Sequence, residues 1–107
     1  MRARTVGVGL ICLLLAGCAA VDVTKTAKGF YDPTNPNDVE ILRTRPEKQY
    51  IELGSVTATG FSASDSAKMH NAIRDKSAAL GATAVIVTNE GIQGRARWAT
   101  GVAIRYK

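Results

Sequence analysis

Few side chains in this 107-residue chain are of types that do covalent or acid–base chemistry, and their spacing is informative. His70 is the single histidine, beside Met69, and the two cysteines, Cys12 and Cys18, both fall within the first eighteen residues. A zinc site needs three or four histidine, cysteine or carboxylate ligands, so no metal or cofactor is expected. Asp65 and Asp75 lie ten residues apart, and Glu52 and Glu90 fall in separate segments. No local spacing among them sets up the paired carboxylates of glycoside hydrolysis. Serines are plentiful, but no nucleophile elbow surrounds any of them, and one histidine leaves a single choice of base. Gly91-Ile92-Gln93-Gly94 lacks the spacing of a phosphate-binding loop. The expectation is therefore a non-enzymatic protein. The candidate contact residues are Arg95, Arg97 and Trp98, where two guanidinium groups stand next to the only tryptophan. Arginine and tryptophan are enriched at binding hot spots, and arginine pairs bidentately with phosphate or carboxylate.

The elements that would position these residues read as a small α+β domain over residues 38–107. Val39-Glu40-Ile41-Leu42-Arg43 alternates and is β-prone, which predicts a first strand. Residues 50–60 predict a second strand whose period slips: Ile51 and Leu53 share one phase, Val56 and Ala58 the other. Gly54-Ser55 at the slip suggests a β-bulge. Residues 62–80 predict a helix, with Ser62 or Ser64 as its cap and Asp65 near its positive end. Met69, Ala72, Ile73, Ala79 and Leu80 recur on one side, and Gly81 takes the left-handed stop position. Ala84-Val85-Ile86-Val87-Thr88 is apolar without alternation, as in a strand covered on both faces. Residues 89–98 read as a hairpin loop, and residues 99–106 as a closing strand in which Val102, Ile104 and Tyr106 share a face. The expected architecture is a two-layer ββαββ fold, with a small, mostly antiparallel sheet and one amphipathic helix packed on one face.

The first residues have a different character. Arg2 and Arg4 precede an uncharged run from Val6 to Leu15, followed by Ala16, Gly17 and Cys18. A basic start, a short apolar run and a small-residue exit describe a secretory signal peptide over residues 1–17. The uncharged stretch is at most sixteen residues long, whereas a spanning helix takes about 20. Gly7, Gly9 and Gly17 also disfavour a buried helix. Cleavage would remove Arg2 and Arg4 and keep all nine acidic residues, lowering the formal charge from +5 to +3. An excess that small gives no argument for nucleic acid. Residues 18–37 read as a flexible tether: apolar residues are sparse, and Asp32-Pro33-Thr34-Asn35-Pro36-Asn37 sets two prolines among turn formers. About nineteen flexible residues would hold the domain roughly 20–25 Å from their anchor. Phe30-Tyr31 is the one pair suited to folding back onto the domain.

Leu15-Ala16-Gly17-Cys18 resembles the lipobox of bacterial lipoproteins. That resemblance implies a diacylglyceryl group on the Cys18 thiol, cleavage before Cys18, and a further acyl chain on the new amine. Two or more chains give stable anchoring where one gives only marginal binding. The resemblance also implies residence in the cell envelope. Ala19, where inner-membrane retention usually has aspartate, favours the outer membrane facing the periplasm. Leu53-Gly54-Ser55-Val56, the helix, Leu80-Gly81-Ala82-Thr83-Ala84-Val85-Ile86 and Gly101-Val102-Ala103-Ile104 are similar to small envelope lipoproteins, including the outer-membrane lipoprotein sensor of the Rcs stress phosphorelay. Such a protein would act by contact with another envelope protein, in assembly or stress sensing. Binding of a small ligand, glycan or lipopolysaccharide is the alternative. The Rcs sensor is stapled by disulfides, whereas here Cys12 leaves with the signal and Cys18 would carry lipid, so the core alone would hold the fold. The sequence leaves the oligomeric state open.

Overall fold

Valine, isoleucine and threonine in short alternating runs favour extended chain because their branched side chains suit a pleated surface. Five such runs form one sheet in a computed structural model that describes residues 19–107. In chain order the strands are β1 (Ala20–Lys25), β2 (Glu40–Leu42), β3 (Tyr50–Ser62), β4 (Ala84–Gln93) and β5 (Ala96–Tyr106). One helix, α1 (Ser66–Ala78), follows β3. The sheet order is β1-β3-β5-β4-β2. Its β1–β3, β3–β5 and β5–β4 pairs are antiparallel, and the short edge strand β2 runs parallel to β4. The two-layer α+β architecture expected from the sequence is thus the observed one, with a further strand at its start.

That strand corrects the tether. Residues 20–25 pair along their whole length with β3, from Ala20 opposite Thr59 to Lys25 opposite Gly54. Val21 is buried, and Val23 packs on the core under α1. Two apolar residues on one face of a short strand were too weak a signal alone, and pairing with β3 supplies the rest. The stretch that follows does not hang free either. Thr34 donates its amide to Ala78 O at 2.9 Å and its hydroxyl to Ala82 O. Tyr31 sits against Gly81, with the Arg105 guanidinium over its ring at 5.1 Å. The expected fold-back of Phe30-Tyr31 therefore holds for Tyr31, while Phe30 is 90% exposed.

The period slip in β3 is a bulge, one residue from where the sequence suggested it. Glu52 faces Ile104 and Gly54 faces Ala103, which leaves Leu53 as the extra residue. A second shift between Ala58 and Phe61 uses Gly60, at φ +76°. Together they place Leu53, Val56, Ala58 and Phe61 in one core despite their different sequence phases. Helix α1 contributes Met69, Ile73 and Ala78 to that core. Ala79, expected on the buried side, is exposed. The helix is capped by Asp65, which accepts from Lys68 N at 3.1 Å. Ser62 and Ser64, the expected caps, face each other at 3.0 Å instead. Gly81 closes the helix at φ +90°, with Gly81 N bonded to Ala78 O and Ala82 N to Ser77 O.

The expected loop over residues 89–98 is much shorter. β4 continues to Gln93, β5 begins at Ala96, and only Gly94 and Arg95 form the turn, with Gly94 at φ +64°. An irregularity at Thr88 absorbs the extra residue. The face opposite α1 carries a second cluster: buried Ala84, Ile86 and Ile104, flanked by Leu42, Tyr50, Val102 and Tyr106. The cross-strand pair Tyr50–Tyr106 forms part of this covering. No helix among the described residues is long and apolar enough to cross a membrane.

Candidate functional site

Strand directions gather one set of termini at one end of the sheet. β1 starts there at Ala20, β3 ends there at Ser62, and β4 and β5 are joined there by the Gly94-Arg95 turn. Helix α1 also begins there, because only residues 63–65 separate it from β3. Two positive side chains on different elements therefore converge: Lys68 in the first turn of α1 and Arg95 on the turn. They line one hollow together with Ala19, Phe61 and Asp65. Both are exposed, and neither has an ion-pair partner among the described residues.

The three expected contact residues do not form a single patch. Arg97 and Trp98 are consecutive on β5, so their side chains leave opposite faces of the sheet. Arg97 turns beneath the start of α1 and donates to Ala63 O from Nε at 3.1 Å and from Nη2 at 2.7 Å. This ties the β3–α1 loop to β5, a structural task. Trp98 lies over Gly91 on its cross-strand neighbour, where a Cβ would come within 3.0 Å of the indole. Of the two arginines, Arg95 alone is free to reach a partner. Cys18, the expected lipidation residue, lies outside the described residues, as does the expected signal segment over residues 1–17.

A second constellation joins residues that are remote in sequence. Glu90 on β4 pairs with Arg43, just past β2, through one carboxylate oxygen. Its other oxygen lies 3.4 Å from His70 Nε2 on α1. Burial, and then the positive charges of Arg43, Arg74 and Arg97, push His70 below the usual histidine value. The Glu90 contact pulls the other way, but it is long, and Arg43 already compensates that carboxylate. His70 is consequently a neutral acceptor or donor near neutral pH. Arg74 is held in place by Val39 O at 3.1 Å and Asn71 Oδ1 at 2.8 Å. The His70–Glu90 juxtaposition escaped the sequence because it depends on β4 running past Thr88. Among the described residues, no group of three or more histidine, cysteine, aspartate or glutamate side chains is placed to hold a metal ion.

At the far end of the sheet, Tyr106 Oη donates to Glu40 at 3.4 Å, and burial followed by the Glu40 charge raises its pKa. Lys48 Nζ stands 4.8 Å from the same ring.

No family model matches this sequence, and no curated protein does. Among solved structures the fold is similar to the crystal structure of the Francisella virulence factor FvfA, with a TM-score of 0.62 over 80% of this chain and 97% of that one. The two sequences are 16% identical, so the likeness is one of fold.

Proposed function

We propose that this chain is a bacterial envelope lipoprotein, non-enzymatic, anchored through lipid on Cys18 and acting through contacts with another envelope protein in assembly or stress sensing. The observation that carries the reading is Leu15-Ala16-Gly17-Cys18 after a basic start and an apolar run, directly ahead of a folded domain whose first strand begins at Ala20. The anchor would be the acyl chains themselves, so no spanning helix is needed. Ala19 in the position after the cysteine supports outer-membrane residence facing the periplasm over the inner membrane.

A second reading, the binding of a glycan or lipopolysaccharide, is favoured by the face opposite α1. There Tyr50, Val102, Trp98 and Tyr106 remain half-buried, and aromatic side chains offer large contact area at low entropic cost. One experiment separates the two. Affinity capture of the full chain from crosslinked envelopes is expected to recover one defined protein in stoichiometric amount. Recovery of glycan or lipopolysaccharide with no protein favours the second reading, and recovery of neither under any growth condition contradicts both.

A further inference from the structure

Ala20 is fixed in the sheet by its pairing with Thr59, and Cys18 precedes it by two residues. Extended chain spans at most about 3.6 Å per residue, so the Cys18 backbone lies within roughly 7 Å of the first residue of β1. A lipid on that thiol therefore leaves no spacer between bilayer and domain. The part of the domain nearest the anchor is fixed by topology: the ends of β3 and β4, the starts of β5 and α1, and the Gly94-Arg95 turn.

Exposed positive side chains without ion-pair partners among the described residues stand at this end. Lys68 and Arg95 line a common hollow with Ala19, the residue next to Cys18. Of the nearby carboxylates, Asp65 caps α1 and Glu90 is taken by Arg43 and His70, while Asp22 and Asp75 share an adjoining hollow with Lys68 and Lys76. Arg97 adds a third positive charge directly behind the turn. At the opposite end of the sheet Lys25, Lys28, Lys48, Arg105 and Lys107 stand among Asp32, Asp38, Glu40, Glu47 and Glu52. Screening at physiological salt acts over about 8 Å, comparable with the reach from anchor to strand, so these charges would feel a headgroup plane.

We propose that the end of the sheet carrying Ala19, Lys68 and Arg95 rests on the anionic headgroups of the leaflet that holds the Cys18 lipid, which fixes the orientation of the domain on the membrane. This rests on the lipoprotein reading and adds an orientation to it. The far end, with β2 and the Tyr50–Tyr106 pair, then points away from the bilayer and is the part free to meet a partner. Each basic residue near an anionic surface favours the docked orientation about fivefold.

Trp98, two residues into β5 beside the turn, is a native probe of this orientation. The full-length lipidated protein, purified in detergent, is reconstituted into phosphatidylcholine vesicles with or without phosphatidylglycerol, each containing a headgroup-labelled quencher lipid. Trp98 quenching is expected to be several-fold stronger in the anionic vesicles. It should fall to the neutral-vesicle level in the Lys68→Glu/Arg95→Glu double variant and at high salt, while Lys25→Glu/Lys48→Glu at the far end leaves it unchanged. Equal quenching in both lipids, or a double variant that behaves like the wild type, overturns the docking. If the protein still floats with the vesicles in those cases, anchoring stands and only the orientation falls. A purified protein without the mass of a diacylglyceryl group overturns both.

Discussion

His70 is where a single residue links fold and pH. Its side chain is largely enclosed, and three guanidinium groups oppose its protonation. In the unfolded chain it titrates near pH 6.5, and in the fold it titrates lower. The unfolded state therefore binds more protons across that interval, and stability falls as pH drops below about 6.5 until the depressed folded value has been passed. Above about 6.5 this contribution is fully present. Denaturant titrations between pH 8 and pH 5 are expected to show the decline, and His70→Gln is expected to flatten it. A wild type with constant stability through that window contradicts the placement of His70. The sequence held the residue types but not the juxtaposition: nothing in Lys68-Met69-His70 or Asn89-Glu90-Gly91 signals that a helix and a strand bring His70 and Glu90 together. Arg97 and Trp98 illustrate the reverse. Adjacent in sequence, they looked like one contact patch, and strand alternation sends them to opposite faces.

Among elements, β1 is the one on which most depends. Its attachment is permitted by glycine at position 54, where a Cβ would come within 2.5 Å of Thr24 O and 3.1 Å of Lys25 Cα. These nearest atoms are all β1 backbone, so no side chain can yield. Gly54→Ala is expected to destabilise by about 1–3 kcal/mol, the range for overpacking. Much of the effect should be local: hydrogen exchange at the β1 amides should accelerate far more than at β4 and β5. Uniform acceleration, or none, contradicts the β1–β3 pairing. The helix, its glycine stop and the β4–β5 hairpin were legible because each rests on local signals: a 3.6-residue period, a left-handed Gly81, and an apolar run meeting an alternating one. β1 was not, because an edge strand with two apolar residues owes its existence to its neighbour. The far half of β4 was hidden for the same reason: Asn89, Glu90 and Gly91 have little intrinsic preference for extended chain, and pairing with β5 overrides it.

At the scale of the whole molecule, the proposal joins a lipid anchor to the end of the domain that carries Ala19, Lys68 and Arg95. Residues 19–107 contain no cysteine and depend on the core beneath α1, where Leu53, Val56, Met69, Ile73 and Val85 are buried. The tether expected from Asp32-Pro33-Thr34-Asn35-Pro36-Asn37 is instead a strap that runs from β1 past the end of α1 into β2. Under the proposal the anchor would meet the sheet edge directly, and the domain's orientation would be set by the surface beside β1 rather than by a flexible linker.

All of this depends on the chemistry at one thiol. Intact-mass and N-terminal peptide mass spectrometry of the native protein tests it most directly. The expected result is a chain that begins at Cys18 and carries a diacylglyceryl group with a further amide-linked acyl chain. A chain that retains Met1, or one that starts at another residue with an unmodified Cys18 thiol, contradicts the account.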